Sequence, residues 1–86
     1  MIDKYKKLAE VFSILGNPVR LTIVRGLMKK SCYVNKIVDN LGVPQSTVSQ
    51  HLSLLKRAGI IKGTRKGVSI CYKVIDPQVK KILNKV

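Results

Sequence analysis

The chain has 86 residues, with 17 Lys and Arg against 4 Asp and Glu, a formal charge of +13 and a pI near 10.2. That length suits one small domain over residues 1–86 rather than two, and a hydrophobic content of 45% excludes a disordered basic tail. The charge favours a polyanionic partner, with nucleic acid ahead of an anionic membrane surface, because the basic residues are not gathered on one amphipathic helix. A fold of this size hides roughly 60–70% of the surface that its unfolded chain exposes, a narrow margin that a dimer improves. No apolar run approaches the ~20 residues of a membrane span, and no membrane partner is expected. The first seven residues are charged and lead into an amphipathic helix rather than the apolar core of a signal peptide. The expected location is therefore the cytoplasm. Two cysteines 39 positions apart do not suggest a secreted disulfide scaffold.

Leu8, Val11, Phe12 and Leu15 recur at i, i+3, i+4 and i+7 and predict a first helix over about residues 3–15. Gly16 ends it, Asn17 caps a second helix, and Pro18 suits that helix's first position. Leu21, Val24, Leu27 and Met28 are expected to face inward along the second helix. Val34, Ile37, Val38 and Leu41 repeat the pattern in a short third helix, which Gly42 ends. Pro44 then sits where a fourth helix starts without losing a needed N–H donor.

Val48, Leu52 and Leu55 form the buried stripe of that fourth helix, and Gly59 closes it. Its other face opens with Gln45, Ser46, Thr47, Ser49 and Gln50. These are short, uncharged donors and acceptors, the groups that a helix entering the major groove needs near its N-terminus. His51, Lys56 and Arg57 complete the expected DNA-facing set on this helix.

Beyond Gly59 the period changes. Ile60 and Ile61 open a strand, Lys62 to Gly67 reads as a basic, glycine-bearing turn, and Val68, Ile70, Tyr72 and Val74 alternate with Ser69, Cys71 and Lys73. Lys62, Arg65 and Lys66 are the expected phosphate contacts of this hairpin. Asp76-Pro77 opens a last helix with Val79, Ile82, Leu83 and Val86 on one face. The fold class is α+β, mainly α: a winged helix-turn-helix with a β-hairpin wing and flanking N- and C-terminal helices.

Three stretches carry a family resemblance: Leu15 to Val24, Gln45 to Leu52 continued by Leu55 to Ile61, and Gly67 to Asp76. Together they resemble the ArsR/SmtB repressors over nearly the whole chain in one register. The resemblance implies a homodimeric repressor that binds operator DNA and loses affinity when an inducer binds. Metal-sensing members often carry Cys-Val-Cys at the start of the third helix, where this chain has Tyr33, Val34 and Asn35. Others use Asp and His on the last helix, and residues 77–86 contain neither. No metal or cofactor is expected, since one His and two Cys fall short of the about four ligands of a structural zinc site.

No catalytic residues are expected. Ser46 or Ser49 with His51 lacks a nucleophile elbow and an Asp to orient the imidazole. Cys32 and Cys71 leave two readings open: small buried hydrophobes, or a redox pair between a short strand over 31–34 and the wing, with a Cα separation of roughly 4.4–6.8 Å. If bonded, the pair is either a structural staple or a switch. The partners expected are double-stranded DNA bearing an inverted repeat and a second copy of the chain, docked through the first and last helices. The alternative reading is a constitutive architectural DNA binder or a winged helix that docks on protein.

Overall fold

A computed structural model describes residues 2–32 and 34–86. In chain order the elements are α1 (Ile2–Leu15), α2 (Pro18–Lys29), α3 (Val34–Leu41), α4 (Gln45–Arg57), β1 (Ile61–Lys66), β2 (Ser69–Val74) and α5 (Pro77–Leu83). The helix starts follow local chemistry. The Asn17 side chain accepts from the Val19 and Arg20 N–H groups at 2.9 and 3.2 Å, with Pro18 in the first turn behind it. Asp76 does the same for Gln78 and Val79 ahead of α5. Pro44 differs from expectation. It is the N-cap of α4 rather than its first helical residue, and no side chain caps that end.

The end of α4 sets the direction of the wing. Gly59 has φ +75°, a conformation that costs glycine no Cβ strain. Its N–H donates to the Lys56 carbonyl, and the Ile60 N–H donates back to Leu55. These are the paired bonds of a Schellman stop, with the accompanying apolar contact supplied by Leu55 and Ile60, both 0% exposed. Ile61 then enters β1 directly.

β1 and β2 pair antiparallel from Ile61↔Val74 to Lys66↔Ser69. The expected turn over Lys62–Gly67 is corrected: residues 62–66 lie in the strand, and Gly67-Val68 alone form the tip. Pairing with β2 overrides the polarity of those residues, which project into solvent where polar side chains cost nothing. The expected alternation on β2 breaks too, because Val68 is fully exposed at the tip and Cys71 is buried along with Tyr72 and Val74. No strand forms at 31–32 or 34 beside β2. Among the described residues, a hydrogen bond from the Cys32 N–H to the Tyr72 carbonyl at 3.1 Å makes that contact instead.

The core gathers Val11 and Leu15 from α1, Ile23, Val24 and Leu27 from α2, Val34 and Val38 from α3, and Val48, Leu52 and Leu55 from α4. The hairpin and α5 close it with Ile61, Tyr72, Val74, Val79 and Leu83. On α2, Ile23 takes the inward position expected of Leu21, which is 39% exposed. Within α1 the expected stripe splits: Val11 and Leu15 are buried, whereas Phe12 is 51% exposed. Val86 lies beyond the end of α5 and is exposed.

At Gly26 α2 meets α3 closely. A Cβ there would stand 2.5 Å from Ile37 Cδ1 and 2.9 Å from its Cγ1. Alanine gains about 1 kcal/mol of helix propensity over glycine, but overpacking costs roughly 1–3 kcal/mol. Gly26→Ala is therefore expected to lower stability by about 1 kcal/mol, a shift that a urea titration reads directly.

Candidate nucleic-acid interface

At 3.6 residues per turn, burial of Val48, Leu52 and Leu55 turns the opposite arc of α4 to solvent. Ser46, Ser49, Gln50, Ser53 and Arg57 occupy that arc, and all five are exposed. Ser53 was not among the expected contacts, although it lies one turn beyond Ser49 in the middle of the arc. Gln45 and Lys56 stand at the rim nearer the wing, and the Lys56 ammonium lies 6.0 Å from the Tyr72 ring centroid. Thr47 and His51 form the other rim, toward α2, and are half-buried. There His51 Nδ1 lies 3.3 Å from Arg20 Nη1, a contact no sequence pattern indicated.

The wing's basic residues divide between its two faces. Residues opposite each other across the ladder share a face, so Arg65 lies with Ile70 beside Tyr72, while Lys62 and Lys66 lie with Lys73, Cys71 and Ser69. Ile70 and Tyr72 line a cleft of about 290 Å³ whose other wall includes Val34, Asn35, Gln45 and Ser49. Arg65 therefore shares the recognition-helix side of the wing, and Lys62 sits at the wing's base on the far face. Placing Lys62 opposite Lys73 juxtaposes like charges, which is unfavourable unless an anion lies nearby.

Cys32 and Cys71 are joined in a disulfide, with Cα atoms 4.2 Å apart, slightly below the expected range. The bond ties the turn after α2 to the middle of β2. Cys32 is exposed and has φ +73°, while Cys71 is buried. Tyr33, one of the positions compared with the metal-binding motif, lies outside the described residues. Among the described residues, no group of three or more His, Cys, Asp or Glu gathers as a metal site. No helix of the described chain is long and apolar enough to cross a membrane.

A helix-turn-helix whose fourth helix presents a polar arc beside a basic hairpin defines the winged helix-turn-helix class of DNA-binding folds. The chain belongs to the arsR family of bacterial regulatory proteins, whose family model matches residues 17–62. An uncharacterised HTH-type transcriptional regulator of Methanocaldococcus jannaschii is 43% identical over 83 residues, spanning 95% of this chain and 93% of that protein. The HTH-type transcriptional repressor SmtB of Mycobacterium tuberculosis is 40% identical over 74 residues, which cover 86% of this chain and 55% of SmtB. Among solved structures, reduced HlyU from Vibrio cholerae superposes with a TM-score of 0.90 at 25% identity, over 99% of this chain and 90% of that one. These findings bear out the resemblance carried by Leu15–Val24 and Gln45–Ile61. Regulators of this family bind DNA.

Proposed function

We propose that the chain is an operator-binding transcriptional repressor that acts as a homodimer in the cytoplasm. The observation that carries this reading is the exposed arc of short polar side chains on α4, flanked by Arg65 on the wing. Gln45, Ser46, Ser49, Gln50 and Ser53 supply donors and acceptors to base edges, with Thr47 and His51 along the rim. Lys56, Arg57, Arg65 and, at the end of the strand, Lys66 supply charge to phosphates, whereas Lys62, at the wing's base on the far face, is given no contact. A purely architectural binder needs the charge alone and gains nothing from the uncharged arc. Selection from a pool of random duplexes tests the reading. The expected product is an inverted repeat with half-site centres about 10–10.5 base pairs apart; a pool with no enriched sequence would contradict it.

The wing's part is read from salt dependence. Each neutralised phosphate contributes a slope of about −0.9 to log affinity against log salt. Arg65→Ala is expected to flatten that slope by about one, and an unchanged slope would place Arg65 away from DNA.

The dimer rests on α1. Ile2, Tyr5 and Phe12 are 84%, 56% and 51% exposed, and with Ala9 they fall on one side of the helix. Most of α5 is used within the protomer, since Val79 and Leu83 are buried and Ile82 is half-buried. The proposed interface is thus chiefly α1, with α5 contributing its edge.

The disulfide supports regulation by thiol oxidation. It fixes the middle of β2 to the turn before α3, and Cys32 is an exposed residue within reach of a thiol reductant. Cross-linking across 39 residues constrains the unfolded chain by about 4 kcal/mol in the loop-entropy model. Reduction is therefore expected to lower stability by several kcal/mol and to change operator affinity, by freeing β2 from the α2–α3 turn. Titrations of operator DNA with the oxidised protein, the reduced protein and Cys71→Ser check this. Lower stability with equal affinity in all three would mark the bond as a permanent staple.

A further inference from the structure

Arg20 is held at both ends. Its backbone N–H is capped by Asn17 in the first turn of α2, and its side chain reaches two other helices. Nε donates to the Ile14 carbonyl in the last turn of α1 at 2.6 Å, and Nη1 lies 3.3 Å from His51 Nδ1 on α4. A guanidinium carries five N–H donors and no acceptor, so His51 Nδ1 must be the acceptor in this contact. An imidazole that accepts at Nδ1 is neutral and carries its single proton on Nε2. The ring thus has one lone pair committed inward to Arg20 and one donor left at its other nitrogen. His51 is half-buried at the rim of the DNA-facing arc, one turn after Thr47. On a recognition helix the centre of the arc meets base edges, while the rim runs beside the phosphates.

We propose that Arg20 is a positioning residue for DNA binding, fixing His51 as the Nε2–H tautomer so that this N–H donates to a backbone phosphate beside the recognition helix. The inference rests on the repressor reading above and adds to it both a residue on α2 and the protonation state of the contact. It also makes the contact distinguishable from the cationic ones. A neutral donor displaces no condensed counterion, so its loss weakens binding at every salt concentration without changing the salt slope. Because a phosphate carries no sequence information, the loss falls equally on operator and random DNA.

His51 is the only histidine in the chain, so its ring nitrogens are assigned without ambiguity. Long-range proton–nitrogen spectra of the free, ¹⁵N-labelled protein are expected to show a single neutral Nε2–H form. Arg20→Ala is expected to give a mixture of tautomers, and Arg20→Lys, which keeps a donor, to restore the single form. His51→Leu, which leaves the bond from Arg20 to Ile14 in place, is expected to weaken binding to operator and random DNA alike by about tenfold. The salt slope should not move, and His51→Gln, which keeps an amide donor, should recover most of the loss. A wild-type ring that is cationic or of mixed tautomer overturns the inference, as does a slope that falls by about one in His51→Leu. Wild-type protein with the single Nε2–H form and the tenfold loss in His51→Leu, but no sequence-selective binding, overturns the repressor reading instead and leaves the phosphate contact standing.

Discussion

Replacing Gln45 and Ser49 together by alanine is expected to lower operator affinity at least about 30-fold while changing affinity for random DNA by less than about threefold. A base contact is worth about 1–3 kcal/mol, and tenfold in affinity is 1.4 kcal/mol, so two lost contacts set that lower bound. Both residues are exposed, and both line the cleft between α4 and the wing rather than the core, so the fold should not suffer. Circular dichroism and thermal unfolding should match wild type. Equal losses on operator and random DNA would move sequence reading elsewhere on the molecule.

Phe12→Glu is expected to have the larger effect. The side chain is half exposed in the protomer, so the substitution should leave the isolated fold nearly as stable. In the proposed dimer it removes the burial of the exposed half of an aromatic, worth about 1 kcal/mol, and buries a carboxylate without a partner, which costs several more. Dimer dissociation should strengthen by at least about 100-fold, and sedimentation at micromolar concentration should show a monomer. A monomer engages one half-site, so operator binding should fall from the nanomolar range typical of specific complexes toward the ~10⁻⁴–10⁻⁶ M of non-specific contact. Tyr5→Glu, on the same side of α1, should act alike. A dimer that survives both substitutions would place the interface away from α1.

Features governed by local chemistry were legible from the sequence. Asn17-Pro18, Asp76-Pro77 and Gly59 set helix ends with atoms only a few residues away, so the sequence contains the whole interaction. The spacing of Val48, Leu52 and Leu55 fixes which arc of α4 faces outward, and with it most of the candidate DNA contacts. The misplaced features depend on partners distant in sequence. Residues 62–66 carry no strand signal of their own and become a strand through β2. The apolar arc of α1 is wide, and only packing decides that Val11 and Leu15 enter the protomer's core while Ile2, Tyr5 and Phe12 stay outside. On α2, Leu21 and Ile23 both suit an inward position, and contact with the remaining core selects Ile23. Arg20 and His51 are 31 residues apart on different helices, and neither periodicity nor motif relates them. The cysteine pair lies between these cases: the place of Cys71 in the middle of β2 was legible, whereas Cys32 lies in a turn, joined to β2 by the disulfide and by its own N–H, rather than in a strand.

A competition titration tests sequence-selective binding by the arc of α4 most directly. Labelled duplex carrying the selected inverted repeat is bound at physiological salt, then displaced by the same duplex unlabelled or by a scrambled duplex of equal length and composition. The scrambled competitor is expected to be at least about 1,000-fold weaker, the lower end of the usual specificity range. Most of that ratio should disappear in the Gln45→Ala, Ser49→Ala double variant. Competitors of equal strength would show that the +13 charge alone holds the protein to DNA and would contradict sequence reading by α4.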